Sequence, residues 1–122
     1  MNYDELCQKI MNYDKKVRFA GILGKKGELI SGGLNEGVGG FLTKNEAQMS
    51  LYYASQRWES RKKLSFKIGQ PQYSMTVYEK IKQFSIPINN SELLLISAET
   101  DTDHDKFVDF VINLIHENFK PN

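Results

Sequence analysis

Apolar side chains recur along this chain in three rhythms, and each rhythm predicts a different kind of element. In "YDELCQKIMNY", Tyr3, Leu6, Ile10 and Tyr13 are spaced by 3, 4 and 3 residues, the stripe of one helical face. Asp4 and Glu5 fall in its first turn, where the helix dipole favours acids. Residues 17–23, "VRFAGIL", and 28–33, "ELISGG", predict two strands joined by "GKKG", a glycine-bounded link suited to a hairpin. The glycine-rich run "GGLNEGVGGFL" that follows predicts a pliable loop.

A long helix is signalled next, in "LTKNEAQMSLYYASQRWESRKK". Thr43 is placed as its N-cap and Glu46 stands three residues later, the pairing that lets a hydroxyl and a carboxylate each satisfy a backbone N–H. At 100° per residue Ala47, Leu51, Ala54 and Trp58 share one narrow stripe, assigned to the core, while Met49, Tyr52 and Tyr53 point the other way. That second bulky side is more than one core requires.

Strict alternation then returns in "QYSMTVY", residues 72–78, and "KQFSIPI", residues 82–88. Pro87 cannot donate a ladder hydrogen bond, so it is expected at a strand end or a bulge. "LLLISA", residues 93–98, is apolar at successive positions, as a strand covered on both faces should be. It is expected in the middle of the sheet. The terminal segment offers Thr102 or a nearby Asp as N-cap, then Phe107, Phe110, Val111, Leu114 and Ile115 at helical spacing, with Pro121 beyond its end. The order is α-β-β-α-β-β-β-α: a five-stranded, mainly antiparallel sheet flanked by three helices, an α/β (α+β) sandwich.

Composition narrows the picture in a few respects. With 122 residues, 40% of them hydrophobic and 25% charged, the chain is expected to be one globular domain over residues 1–122. No apolar run approaches the ~18 residues of a membrane span, and the acid-led start lacks the order of a secretion signal. A single cysteine, Cys7, suits a reducing compartment, so a cytoplasmic location is expected. The net charge of +1 gives no general attraction to nucleic acid or an acidic membrane surface; local patches must carry any such role.

Catalytic and metal motifs fail on inspection. "DTDHDK" alternates oxygen ligands like an EF-hand loop, but Lys106 takes the place of the glycine and Ile112 that of the bidentate glutamate. No glycine precedes the Lys-Ser/Thr pair of a phosphate loop, His104 and His116 lack zinc spacing, and no G-x-S-x-G elbow occurs. No enzyme activity, cofactor or metal is expected. The cations Arg57, Arg61, Lys62 and Lys63 have two readings: stabilisation of a helix C-terminus, or a docking patch for an acidic protein surface.

The element order, the "GKKGELISGG" hairpin, the capped second helix and the acid-led last helix together resemble roadblock-type domains of the dynein light chain and Ragulator class. "RFAGI", "LT" before a helix, "RW" followed by basic residues, and "LLLIS" also look like a group of small uncharacterised archaeal proteins. The roadblock resemblance implies the middle helix on one face of the sheet and the other two on the opposite face. It also implies dimerisation through strand three and the middle helix. The implied interface is Met49, Tyr52, Tyr53 and Gln56 on the helix with Tyr73, Met75 and Val77 on the strand.

The expected function is therefore a non-catalytic homodimeric scaffold or regulatory module. The resemblance implies a platform for a small GTPase or another signalling protein, with no nucleic acid and no membrane span. The alternative is a PAS-like or profilin-like small-molecule sensor, with Phe19 and Phe41 near a ligand held between sheet and helix.

Overall fold

The structure, a computed structural model, describes residues 1–119; Pro121 lies outside the described residues. The elements run α1 (Tyr3–Met11), β1 (Val17–Leu23), β2 (Leu29–Leu34), α2 (Lys44–Lys62), α3 (Ser65–Ile68), β3 (Ser74–Val77), β4 (Lys82–Pro87), β5 (Leu93–Ala98) and α4 (His104–Asn118). The strands form one antiparallel sheet in the order β2-β1-β5-β4-β3. All eight expected elements are present. The addition is α3, a single turn of four residues that makes the helices four rather than three.

The central place of β5 explains its continuous apolar sequence. Leu94, Ile96 and Ala98 enter the large core beneath α1 and α4, while Leu95 faces a smaller cluster with Leu23 and Ala54 on the other side. The large core also takes Leu6 and Ile10 from α1, Phe84 and Ile86 from β4, and Phe107, Val111 and Ile115 from α4. Phe84 meets Phe107 edge to face with ring centroids 5.4 Å apart. Pro87 is the last residue of β4, opposite Leu93, where its missing N–H costs the ladder least.

Helix ends follow local chemistry. Asn2 caps α1 by accepting from the Glu5 N–H, and Thr43 and Glu46 form the full reciprocal box at α2. At α4 the cap is Asp103, which accepts from the Lys106 N–H at 3.3 Å. Thr102 is buried one residue earlier, and among the described residues its Oγ1 has no hydrogen-bond partner.

The glycine-rich loop after β2 is pinned rather than pliable. Asn35 donates through Nδ2 to the carbonyls of Met11 (3.1 Å) and Val17 (2.8 Å). Arg18 donates to the Gly39 carbonyl at 2.8 Å and lays its guanidinium 4.4 Å from the Phe41 ring centroid, while pairing with Glu99 at 2.8 Å. Gly32 and Gly33, read as part of that loop, lie inside β2, which starts at Leu29 rather than Glu28.

Candidate functional site

The two faces of the sheet are covered unequally. On the α1/α4 face the apolar floor extends from β1 to Met75 of β3. On the α2 face it is smaller: Phe19, Leu23 and Leu95, on which Leu51 and Ala54 of α2 rest, with Leu93 buried beside Trp58. Beyond that patch the ladder pairs Ser74 with Ser85 and Thr76 with Gln83. These hydroxyls and amide share the α2 face because Phe84 and Met75, their neighbours along the strands, point into the opposite core. So α2 is seated over the β1/β5 part of the sheet; on the same face of β3 and β4 the residues are polar, with Gln83 and Ser85 buried and Thr76 exposed.

The side of α2 that faces away from the sheet is uncovered. Met49, Tyr52 and Tyr53 are 53%, 47% and 51% exposed, and Gln56 is exposed beside them. At 100° per residue they lie opposite the line of Ala54 and Trp58, which are buried. Tyr52 and Tyr53 touch edge to face at 5.7 Å between centroids. Ala47 and Leu51 of the expected core stripe are half-buried, which makes the contact of α2 with the sheet narrower than its pattern predicts.

Strand β3 forms an edge of the sheet, paired on one side only, with β4. It is shorter than expected, Ser74–Val77, so Tyr73 lies just before it. Tyr73 and Val77 are exposed at this edge. Met75, expected at an interface, is half-buried and packs against the core beneath α1 and α4, because the register sets it opposite Phe84.

The basic end of α2 is only partly free. Lys62 Nζ is held by Glu59 at 3.1 Å and by the Asn90 carbonyl at 2.9 Å. Arg57, Arg61 and Lys63 are exposed. Immediately beyond, α3 carries Phe66 and Ile68 at 77% and 80% exposure, with Leu64 exposed just before it. These three were not singled out from the sequence. The signal was the interleaving of apolar and basic residues in "RKKLSFKIG", too short for any period to register.

Phe19 and Phe41, proposed for a ligand chamber, line neither of two clefts among the described residues. Phe19 packs on the small cluster and Phe41 is exposed beneath Arg18. A cleft of about 220 Å³ lies elsewhere, between the end of α2, the segment leading into β3, the β4–β5 turn and the end of α4. Its lining includes Trp58, Lys62, Pro71, Ile88, His116 and Phe119. Cys7 is buried, and desolvation pushes its thiol up to about 11, the opposite of a reactive cysteine. Among the described residues no group of three or more His, Cys, Asp and Glu is placed to hold a metal. No helix among them is long and apolar enough to cross a membrane.

A five-stranded antiparallel sheet with one long helix on one face and two helices on the other is the fold of Roadblock/LC7 domains, and solved structures agree. A Roadblock/LC7 domain from Streptomyces avermitilis matches with a TM-score of 0.71 at 12% identity, over 96% of this chain and 97% of that one. MglB from Myxococcus xanthus matches at 0.71 and 13%, over 93% and 88%. Profilin II from Acanthamoeba castellanii shares the architecture more loosely, at 0.57 and 10% over 97% and 100%. By sequence, residues 1–120 match the model of a family of unknown function, DUF6659, and the chain belongs to that family. No curated protein matches it in sequence.

Proposed function

We propose that this chain is a non-catalytic scaffold or regulatory module that works in the cytoplasm as a homodimer. The observation that carries this reading is the uncovered outer side of α2, with Met49, Tyr52, Tyr53 and Gln56 bare, together with the open edge of β3. An unpaired edge is a template for a second strand, and a group of bulky residues in water favours a partner. Two copies joined at β3 would extend the sheet and bring Tyr73 and Val77 of each near the junction. A second α2 reaching the edge strand would find hydrogen-bonding groups at Ser74 and Thr76, since Gln83 and Ser85 are already buried. One neighbour in fold, MglB, is described in a tetrameric arrangement, which supports assembly as a habit of this architecture.

The paired helices then present a surface for a small GTPase or another signalling protein, the use implied by the roadblock resemblance. Arg57, Arg61, Lys62 and Lys63 form a second docking patch, suited to an acidic surface. The test is light scattering on the wild-type chain and on the Tyr53→Glu, Val77→Asp double variant. The wild type is expected at twice the chain mass and the variant at the single mass with an unchanged fold. A wild-type monomer at high micromolar concentration would remove the dimer. Met75→Asp is unsuitable for this purpose, because it places a charge against the core.

A further inference from the structure

We propose that the α3 turn, with Leu64, Phe66 and Ile68 framed by Arg61, Lys63 and Lys67, docks this chain on a lipid bilayer rich in anionic headgroups. The proposal rests on the reading of the basic end of α2 as a docking patch and names its partner; it does not depend on the dimer.

The apolar part of the argument is exposure. Phe66 and Ile68 are the most exposed large apolar side chains among the described residues. They stand on one helical turn that Gly69 ends, and neither belongs to a hydrophobic cluster of the fold. A turn this short cannot offer the repeated i, i+3, i+4, i+7 anchors that a protein groove reads. Two neighbouring apolar side chains at the tip of a turn suit a fluid apolar layer, which needs no matching pocket.

The charges agree. No acid occurs between Glu59 and Glu79, while Arg61, Lys62, Lys63 and Lys67 all fall in that interval. Arg61, Lys63 and Lys67 make no ion pair among the described residues. The β1–β2 turn adds cations at the same end, since Gly24 and Lys25 line one cleft with Trp58, Lys62 and Leu93. Of the acids at this end, Glu59 is held by Lys62, Glu92 accepts from Tyr3 and Asn89, Asp4 accepts from Ser31, and Glu28 stands against Gly24 in the β1–β2 turn, apart from α3. At the far end of β5, a strand about 20 Å long, acids and cations are balanced: Arg18 pairs with Glu99 and Lys16 with Asp101. The segment around α3 is thus basic despite the chain's net charge of +1, and an anionic surface attracts the chain with α3 foremost. Lysine stems can lie along the headgroup layer while their ammonium groups meet phosphates. An acidic protein would answer the cations and leave Phe66 and Ile68 in water.

The test is co-sedimentation of the full chain with vesicles of phosphatidylcholine alone and with vesicles containing about one third phosphatidylglycerol. Binding is expected to the anionic vesicles only and to fall as salt is raised. Phe66→Ser with Ile68→Ser should weaken partitioning by about tenfold or more, with the thermal transition and molecular mass unchanged. Lys63→Glu with Lys67→Glu should abolish it, and Leu34→Ser, at the exposed β2 edge, should leave it unaltered. No binding, equal binding to neutral vesicles, or full binding by the Phe66, Ile68 variant would each overturn the proposal. Capture of an acidic peptide by Lys63 and Lys67 without vesicle binding would also overturn it, while leaving the docking patch itself intact.

Discussion

Gly27 lies directly against the backbone of Tyr52. A β-carbon built on Gly27 would stand 2.6 Å from the Tyr52 Cα and 2.7 Å from its nitrogen, closer than packed atoms allow. The residue closes the β1–β2 hairpin, its N–H donating to the Gly24 carbonyl at 3.0 Å, with φ at 81° in the left-handed region. The hairpin turn thus doubles as the seat of α2. Gly27→Ala combines a left-handed penalty of about 1–2 kcal/mol with a contact that backbone atoms cannot yield to. The expected loss is about 2 kcal/mol or more, read from denaturant unfolding, with hydrogen exchange rising at the middle of α2. An unchanged midpoint would show that turn and helix are not coupled.

Arg18 ties three segments together, and its substitution tests whether the glycine-rich loop depends on it. Arg18→Ala removes the Glu99 pair, the bond to the Gly39 carbonyl and the stacking on Phe41. A loss of about 1–2 kcal/mol is expected, with faster amide exchange across residues 36–41. Arg18→Lys should recover only part of it, because one ammonium cannot hold a planar stack and two separated acceptors at once.

The start of α2 gives a pH-dependent test. Thr43→Ala should cost about 1 kcal/mol through the lost cap. The Thr43 backbone N–H, and then its hydroxyl, hold the Glu46 carboxyl below its usual value of 4.5. A lowered folded-state value means that the contribution is present above about 4.5 and disappears as pH falls through the lowered value. The stability gap between the wild type and Glu46→Ala should therefore narrow below that pH. A gap that widens in acid would contradict the cap geometry.

Cys7 gives the reverse dependence at the alkaline end. Its thiol is raised from 9.0 to about 11 chiefly by burial, so the folded state holds its proton where the unfolded chain releases it. Stability from this group is complete below pH 9 and is lost as pH rises toward 11. Unfolding midpoints of the wild type and Cys7→Ala should converge over that interval. Thiol reagents at pH 8 should modify Cys7 only on unfolding, and prompt labelling of the native chain would refute its burial.

Much of the fold was legible because its signals are local. The 3, 4, 3 stripe of α1, the reciprocal cap at Thr43 and Glu46, the apolar run of β5 and the position of Pro87 each depend on a few neighbours in sequence. The short α3 escaped because four residues cannot establish a period. The pinning of the glycine-rich loop escaped because Arg18, Asn35 and Glu99 meet only after the chain has folded. The surroundings of Met75 were out of reach for a similar reason. Alternation shows that Tyr73, Met75 and Val77 share one side, and only pairing with Phe84 shows that this side leads into the α1/α4 core.

The sequence by itself determined the order of the elements, the caps, the central position of β5 and the presence of two bulky sides on α2, because each follows from side-chain period and short-range hydrogen bonding. Tertiary structure decided which surplus residues remain in water. Helix α2 packs its Ala54 and Trp58 line on the sheet, nothing else among the described residues lies over its far side, and Met49, Tyr52 and Tyr53 stay about half exposed. The same fold carries Phe66 and Ile68 out on a turn among lysines. Burial depends on what lies opposite a side chain in space, and register and layer packing set that after the local pattern has done its part.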